Sequence, residues 1–165
     1  MSESPENTNP QDGANNTQGG PSLVVLAQYL KDLSFESPKA PEAFKIPATP
    51  EIDVNVDVNG RGLGPDQYEV EFSVSAKASH QEEPIFVVEA SYGGVFEIKN
   101  LAPDQLEIAM LVECPRLLFP FLRQIVADAT RNGNFPPLML DPIDFMGIYI
   151  ANKQNMQQPP AAGEA

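Results

Sequence analysis

At 165 residues and 17.9 kDa the chain is the size of one domain. Ten Lys and Arg against 23 Asp and Glu give a formal net charge of -13, which excludes phosphate-driven nucleic-acid binding and disfavours an anionic membrane surface. One cysteine, Cys114, excludes an intrachain disulfide and a Cys-built zinc site, and one histidine, His80, excludes a His cluster.

Residues 1–21 are mostly Asn, Gln, Gly, Pro, Ser and Thr, with the acids Glu3, Glu6 and Asp12. Such a stretch cannot bury enough surface to offset its ordering entropy, so a disordered tail is expected there, and a second at 157–165. The folded domain is then expected over 22–156, carrying most of the negative charge. The start, Met1-Ser2-Glu3-Ser4-Pro5, is acidic and unlike a secretory signal. No apolar run approaches the ~20 residues that span a bilayer. A cytoplasmic protein without direct membrane insertion is expected.

The stretch from Ser22 to Glu36 reads two ways. Leu23, Leu26, Ala27, Leu30 and Leu33 fit a helical stripe, while Leu23, Val25, Ala27, Tyr29, Leu33 and Phe35 fit a strand face. Periodicity leaves both open. Pro38, Pro41, Pro47 and Pro50 predict an irregular arm next, with Phe44 on it. Residues 51–58 alternate strictly, with Ile52, Val54, Val56 and Val58 on one face. Residues 67–78 alternate likewise, and the Gly- and Pro-rich linker 59–66 between them predicts a hairpin turn. Residues 85–98 form a third long strand, with Phe86, Val88, Ala90 and Tyr92 on one face and Val87, Glu89 and Ser91 on the other. Gly93-Gly94 predicts a bulge or bend there.

Helices follow. Residues 102–113 open with Pro103 in the first turn and end against Pro115, which breaks or kinks them. Leu118, Leu122, Ile125, Val126 and Ala129 carry a stripe to a stop at Gly133. A last helix is predicted from Asp141, as N-cap, to about Gln154. Strands first and helices after predict an α+β fold, a four-stranded antiparallel sheet with C-terminal helices on one face.

Chemistry is sparse. His80 lies in the polar loop Ser79-His80-Gln81-Glu82-Glu83-Pro84, and Cys114 follows an acid that would raise a thiol pKa. Gly60, Gly62 and Gly64 lack P-loop or dinucleotide spacing. No catalytic residue, cofactor or metal is expected; a two-carboxylate hydrolase is the enzymatic alternative. By contrast, large apolar residues sit in irregular parts: Phe44 in the arm, and Asn134-Phe135-Pro136-Pro137-Leu138-Met139-Leu140 between helices. Such a loop packs on its own sheet, or serves an oligomer interface or an apolar groove.

Three blocks resemble the bacterial protein-export chaperone family SecB: Tyr29-Leu30-Lys31-Asp32-Leu33-Ser34-Phe35-Glu36-Ser37-Pro38, then Ile85-Phe86-Val87-Val88-Glu89-Ala90-Ser91-Tyr92-Gly93-Gly94-Val95-Phe96, then Cys114-Pro115-Arg116-Leu117-Leu118-Phe119-Pro120-Phe121-Leu122-Arg123 with Gly133-Asn134-Phe135-Pro136-Pro137 after it. Their order and spacing match over 29–149. The resemblance implies that the first segment is a strand, and that the chain is a homotetramer, a dimer of dimers. It implies an ATP-independent holdase that keeps unfolded precursor proteins and delivers them to the SecA motor ATPase. By that resemblance Asp32, Glu36, Val87 and Glu89 would face SecA, and Val88, Ala90 and Tyr92 would lie near the tetramer interface. Phe35, Phe44, Phe86, Phe119, Phe135, Leu138, Leu140 and Tyr149 are the candidates for the client groove, with Met139 as an adaptable neighbour. SecB-like proteins also occur with toxin–antitoxin pairs, so a dedicated adaptor with one fixed partner is the alternative.

Overall fold

A computed structural model describes residues 19–157. The tails expected at 1–21 and 157–165 therefore fall mostly outside the described residues. Four strands form one antiparallel sheet in the order β1-β4-β3-β2: β1 Ser22–Glu36, β2 Glu51–Gly64, β3 Gln67–His80 and β4 Glu83–Lys99. The first segment is a strand, paired along its length with β4. The proline arm holds one 3₁₀ turn, Glu42–Lys45. Helices α1 Pro103–Ile108, α2 Cys114–Asn132 and α3 Phe145–Gln157 follow. The fold is α+β, as the alternation and its order in the chain predict.

Period-two alternation sets the layers. Val70, Phe72, Val74, Ala76 and Ala78 of β3 point to the helices, as do Phe86, Val88, Ala90, Phe96 and Ile98 of β4, and all are buried. Across from them α2 presents Cys114, Leu118, Leu122, Val126 and Thr130, a ladder with a spacing of four in which every member is fully buried. Phe72 anchors the far side against Phe119 and Phe145, with ring centres 6.4 and 5.2 Å away. Burying such rings contributes roughly 1.5–3 kcal/mol each.

Four local expectations are corrected. The glycine-rich linker 59–66 is mostly strand: Gly60 pairs with Val70, Arg61 with Glu69 and Gly62 with Tyr68, leaving a turn at Pro65-Asp66. Gly60 serves packing there, because a Cβ would stand 2.6 Å from the Met110 side chain. Gly93 and Gly94 do not interrupt β4. They leave room for rings on opposite faces, since Cβ atoms would stand 2.7 Å from Tyr29 and 2.7 Å from Phe96. The register shifts lie between Val25 and Ala27 and between Leu30 and Asp32 on β1 instead. Pro115 does not end the helix. The chain widens into a π turn over Ala109–Glu113 and runs on, because proline offers no N–H and its ring crowds the carbonyl four residues back. The last helix starts at Phe145, not after Asp141. Asp144 caps it, its carboxylate Oδ1 accepting the Gly147 N–H at 3.0 Å, and Phe145 docks on Phe72.

Candidate functional site

An open apolar groove lies where the arm, the hairpin end of β4 and the loop after α2 converge. Its volume is about 590 Å³, and Phe44, Ile46, Ile52, Phe86, Phe135 and Leu138 are among its lining residues. Three rings, Phe44, Phe86 and Phe135, line it, and a fourth, Phe35, packs against two of them. Phe135 stands 6.3 Å from Phe35, 5.3 Å from Phe44 and 4.9 Å from Phe86, and Phe35 stacks on Phe86 at 5.8 Å. Such ring clusters add about 0.5–1.5 kcal/mol per pair beyond area burial. Phe44 remains exposed even so. Gly133 ends α2 directly under this wall, and any side chain there would collide with the Phe35 ring.

Backbone anchors hold the groove loop. Thr130, fully buried on α2, donates its hydroxyl to the Val126 and Ala127 carbonyls and accepts the Leu138 N–H at 2.9 Å. The Phe135 N–H reaches the Thr130 carbonyl at 3.1 Å, and Arg123 Nε donates to the Leu140 carbonyl at 2.7 Å. Thr130 and Arg123 thus position the wall without lining it. Sequence reasoning missed both. Thr130 continues the spacing-of-four stripe of α2 and was legible as a buried polar residue; Arg123 gave no signal.

The structure does not unite all the predicted groove residues. Phe35, Phe44, Phe86, Phe135 and Leu138 converge. Phe119, half-buried, packs against the core rings of Phe72 and Phe145, and Leu140 is buried. Tyr149 sits on α3, away from these rings. Its hydroxyl donates to Glu107 at 3.1 Å and accepts from Lys153 at 2.8 Å, so its tip is committed to tying α3 to α1. Ile46 and Ile52 line the groove and were not expected there.

The opposite face of the sheet is charged. Register places Asp32 beside Ser91, Ser34 beside Glu89 and Glu36 beside Val87, so Asp32, Glu36, Val87 and Glu89 share this outer face. Among the described residues Asp32, Glu36 and Glu89 make no ion pair; Glu89 accepts only the Ser75 hydroxyl, at 3.3 Å. Further along the same face the carboxylates are neutralised. Glu69 accepts from the Tyr29 hydroxyl, from Arg61 Nε and from Lys31, while Glu71 accepts from Lys31 Nζ at 2.6 Å and from the Ser91 hydroxyl. The Tyr29 hydrogen bond first, then Arg61, holds the Glu69 carboxyl down to about 2. The free negative charge is thus concentrated on the half of the face holding Asp32, Glu36 and Glu89.

The predicted interface residues separate. Val88 and Ala90 are buried under α2, whereas Tyr92 is half-buried and stacks on exposed Phe121 at 5.8 Å. Beside them β1 exposes Val24, Val25, Leu26, Leu30 and Leu33 along an unpaired edge. Cys114 lies in the core, its thiol pushed up to about 12 by burial and then by Glu113. It is a neutral packing group at physiological pH. No helix among the described residues is long and apolar enough to cross a membrane.

Comparison with known proteins adds four findings. A family model described as preprotein translocase subunit SecB matches residues 16–157. A protein-export protein SecB from Maricaulis maris is 54% identical over 132 residues, covering 79% of this chain and 77% of that protein. Another from Bartonella quintana is 48% identical over 152 residues, covering 89% and 96%. Among solved structures, the Mycobacterium tuberculosis Rv1957 SecB-like chaperone, in complex with a ChAD peptide from the Rv1956 HigA1 antitoxin, shares the fold. Its TM-score is 0.62 at 17% identity, covering 73% of this chain and 90% of that one.

Proposed function

This chain belongs to the SecB family of protein-export chaperones, and from that premise we propose that it is an ATP-independent holdase of the cytoplasm, a binding protein and not an enzyme. It keeps unfolded precursor proteins from folding and hands them to the SecA motor ATPase. The observation that carries the reading is the open aromatic groove at the β2 edge. An unfolded chain offers many apolar segments, and each side chain taken into the groove contributes roughly 1.5–3 kcal/mol. Several grooves on one particle multiply that through effective concentration. Binding the unfolded state opposes folding by mass action without fuel, and a folded protein hides its segments and escapes.

Four copies, a dimer of dimers, supply those grooves. The aliphatic β1 edge and exposed Phe121, stacked on half-buried Tyr92, support self-association, with Val88 and Ala90 shaping that surface from beneath. The unpaired carboxylates Asp32, Glu36 and Glu89, with Val87 among them, support docking of SecA on the outer face. The second reading is an adaptor with one fixed partner; the antitoxin peptide held by the solved SecB-like chaperone favours it, and the export proteins at about half identity favour the first.

Two measurements decide. At roughly fourfold subunit excess and without ATP, the protein slows aggregation of an unrelated denatured client; no effect sinks the holdase, and capture of one fixed partner alone selects the adaptor. Asp32→Lys with Glu89→Lys weakens SecA binding and spares client holding. Unchanged SecA affinity at low salt would remove the outer face from the delivery step.

A further inference from the structure

Leu30 lies opposite Tyr92 and Leu33 opposite Ala90, on the face that the helices share. Three steps along β1 therefore match two along β4, and one residue between the leucines is surplus to the ladder. Apolar burial fixes that count but not the choice. Lys31 and Asp32 both stand between the leucines, and either could bulge with Leu30 and Leu33 unmoved. In the structure Lys31 is the surplus residue, and Asp32 takes the rung opposite Ser91.

Charge on β3 distinguishes the two. Glu71 shares a rung with Gly93 and Tyr29, just before the bulge, and Glu69 lies two residues further back. Lys31 Nζ reaches Glu71 at 2.6 Å and Glu69 at 3.4 Å, spanning β4 to do so. The same carboxylates hold both flanks of the bulge: Tyr29 donates to Glu69, and Ser91, the partner of Asp32, donates to Glu71. Two anions attract a lysine at the nearer position and repel an aspartate from it. One rung further on, Asp32 joins Ser91, Ser73 and Glu89 along a single shallow cleft of the outer face.

We propose that Lys31 is a positioning residue of the outer face: paired with Glu71 and Glu69 it occupies the bulge, and so sets Asp32 rather than itself beside Glu89 for docking of the motor. The inference rests on the SecA docking read above. Lys31 acts through register, and that role differs in sign from the role of a docking charge. A partner that seeks Asp32, Glu36 and Glu89 presents cations, so deleting a lysine from this face strengthens a contact governed by charge alone. Losing the choice of bulge weakens the contact, because Asp32 leaves the row.

The test uses the full chain with Lys31→Met, which removes the cation and keeps an unbranched stem. SecA affinity falls about tenfold and Lys31→Arg restores it to within about threefold, while affinity for an apolar peptide stays within about twofold because Leu33 and Phe35 keep their face. In the free protein, nuclear Overhauser contacts to the Ser91 backbone come from Asp32 alone in the wild type and from positions 31 and 32 together in Lys31→Met. Asp32 remaining alone opposite Ser91 in that variant overturns the proposal whatever SecA does. SecA binding that tightens, or stays within about twofold of wild type, overturns the positioning role. A wild type without affinity for SecA overturns the docking reading and the positioning role with it, while the contacts to Ser91 still decide whether Lys31 selects the bulge.

Discussion

The two free edges of the sheet, β1 and β2, offer the same unpaired backbone groups and opposite side-chain chemistry. β1 opens with nine uncharged residues, 22–30, and exposes aliphatics. β2 alternates Glu51, Asp53 and Asp57 on the outer face with Ile52 and Val54 on the inner, and Ile52 lines the aromatic groove. An edge is a template for any strand that reaches it. Charge can decide which strand does: the acids of β2 oppose pairing with its own copy, while the first nine residues of β1 carry no charge to oppose such pairing. Under the proposed function, one sheet would keep self-recognition and client recognition on separate margins.

The largest effect is expected from making β1 resemble β2. Leu30→Lys with Leu33→Lys places two charges per copy in the edge contact, and the dissociation constant should rise by about 100-fold or more, because unpaired charges resist desolvation. Light scattering over a dilution series reads it; an unchanged mass would mean that β1 is not the joining edge. A middle-sized effect is expected at the other margin. Phe44→Ala removes an exposed ring of the groove, and an apolar peptide should bind about tenfold more weakly while the particle mass stays constant. Titration calorimetry would show equal affinity if client chains lie elsewhere.

The smallest effect concerns the brace between the margins. Glu69 of β3 is tied to Tyr29 and Lys31 on β1 and to Arg61 on β2, so it couples both edge strands across the outer face. Its carboxyl is held below its ordinary 4.5, down to about 2. A depressed folded value means that the brace stabilises fully above pH 4.5 and fades as pH falls toward 2. The melting temperature of the wild type should fall through that window more steeply than that of Glu69→Gln; parallel curves would remove Glu69 from the coupling.

Much of the fold is legible in residue order. Alternation on 51–58 and 67–78 fixes which side chains face the helices, and three blocks of residues fix the family. What alternation cannot show is contact between distant segments. Gly60 reads as a turn residue and Gly94 as a bulge or bend, yet they are strand residues whose missing side chains admit Met110 and Phe96. Pro115 reads as a break or a kink, and one widened turn before it lets the helix run on. At the groove, aromatic type is visible and location is not. Phe119 and Phe135 look alike in sequence, and only packing sets one from α2 against Phe72 and Phe145 and the other in the groove wall. Arg123 is invisible because its partner is a backbone carbonyl.

The fasteners of the groove loop have a consequence for how the family can change. Thr130 and Arg123 grip main-chain atoms at Phe135, Leu138 and Leu140, and these are present whatever the side chains. Mutation can therefore rewrite the loop's outward vocabulary while its frame stays put. Under the proposed function, a lineage could drift toward the secretome of a new habitat by exchanging a few bristles, without remaking the brush.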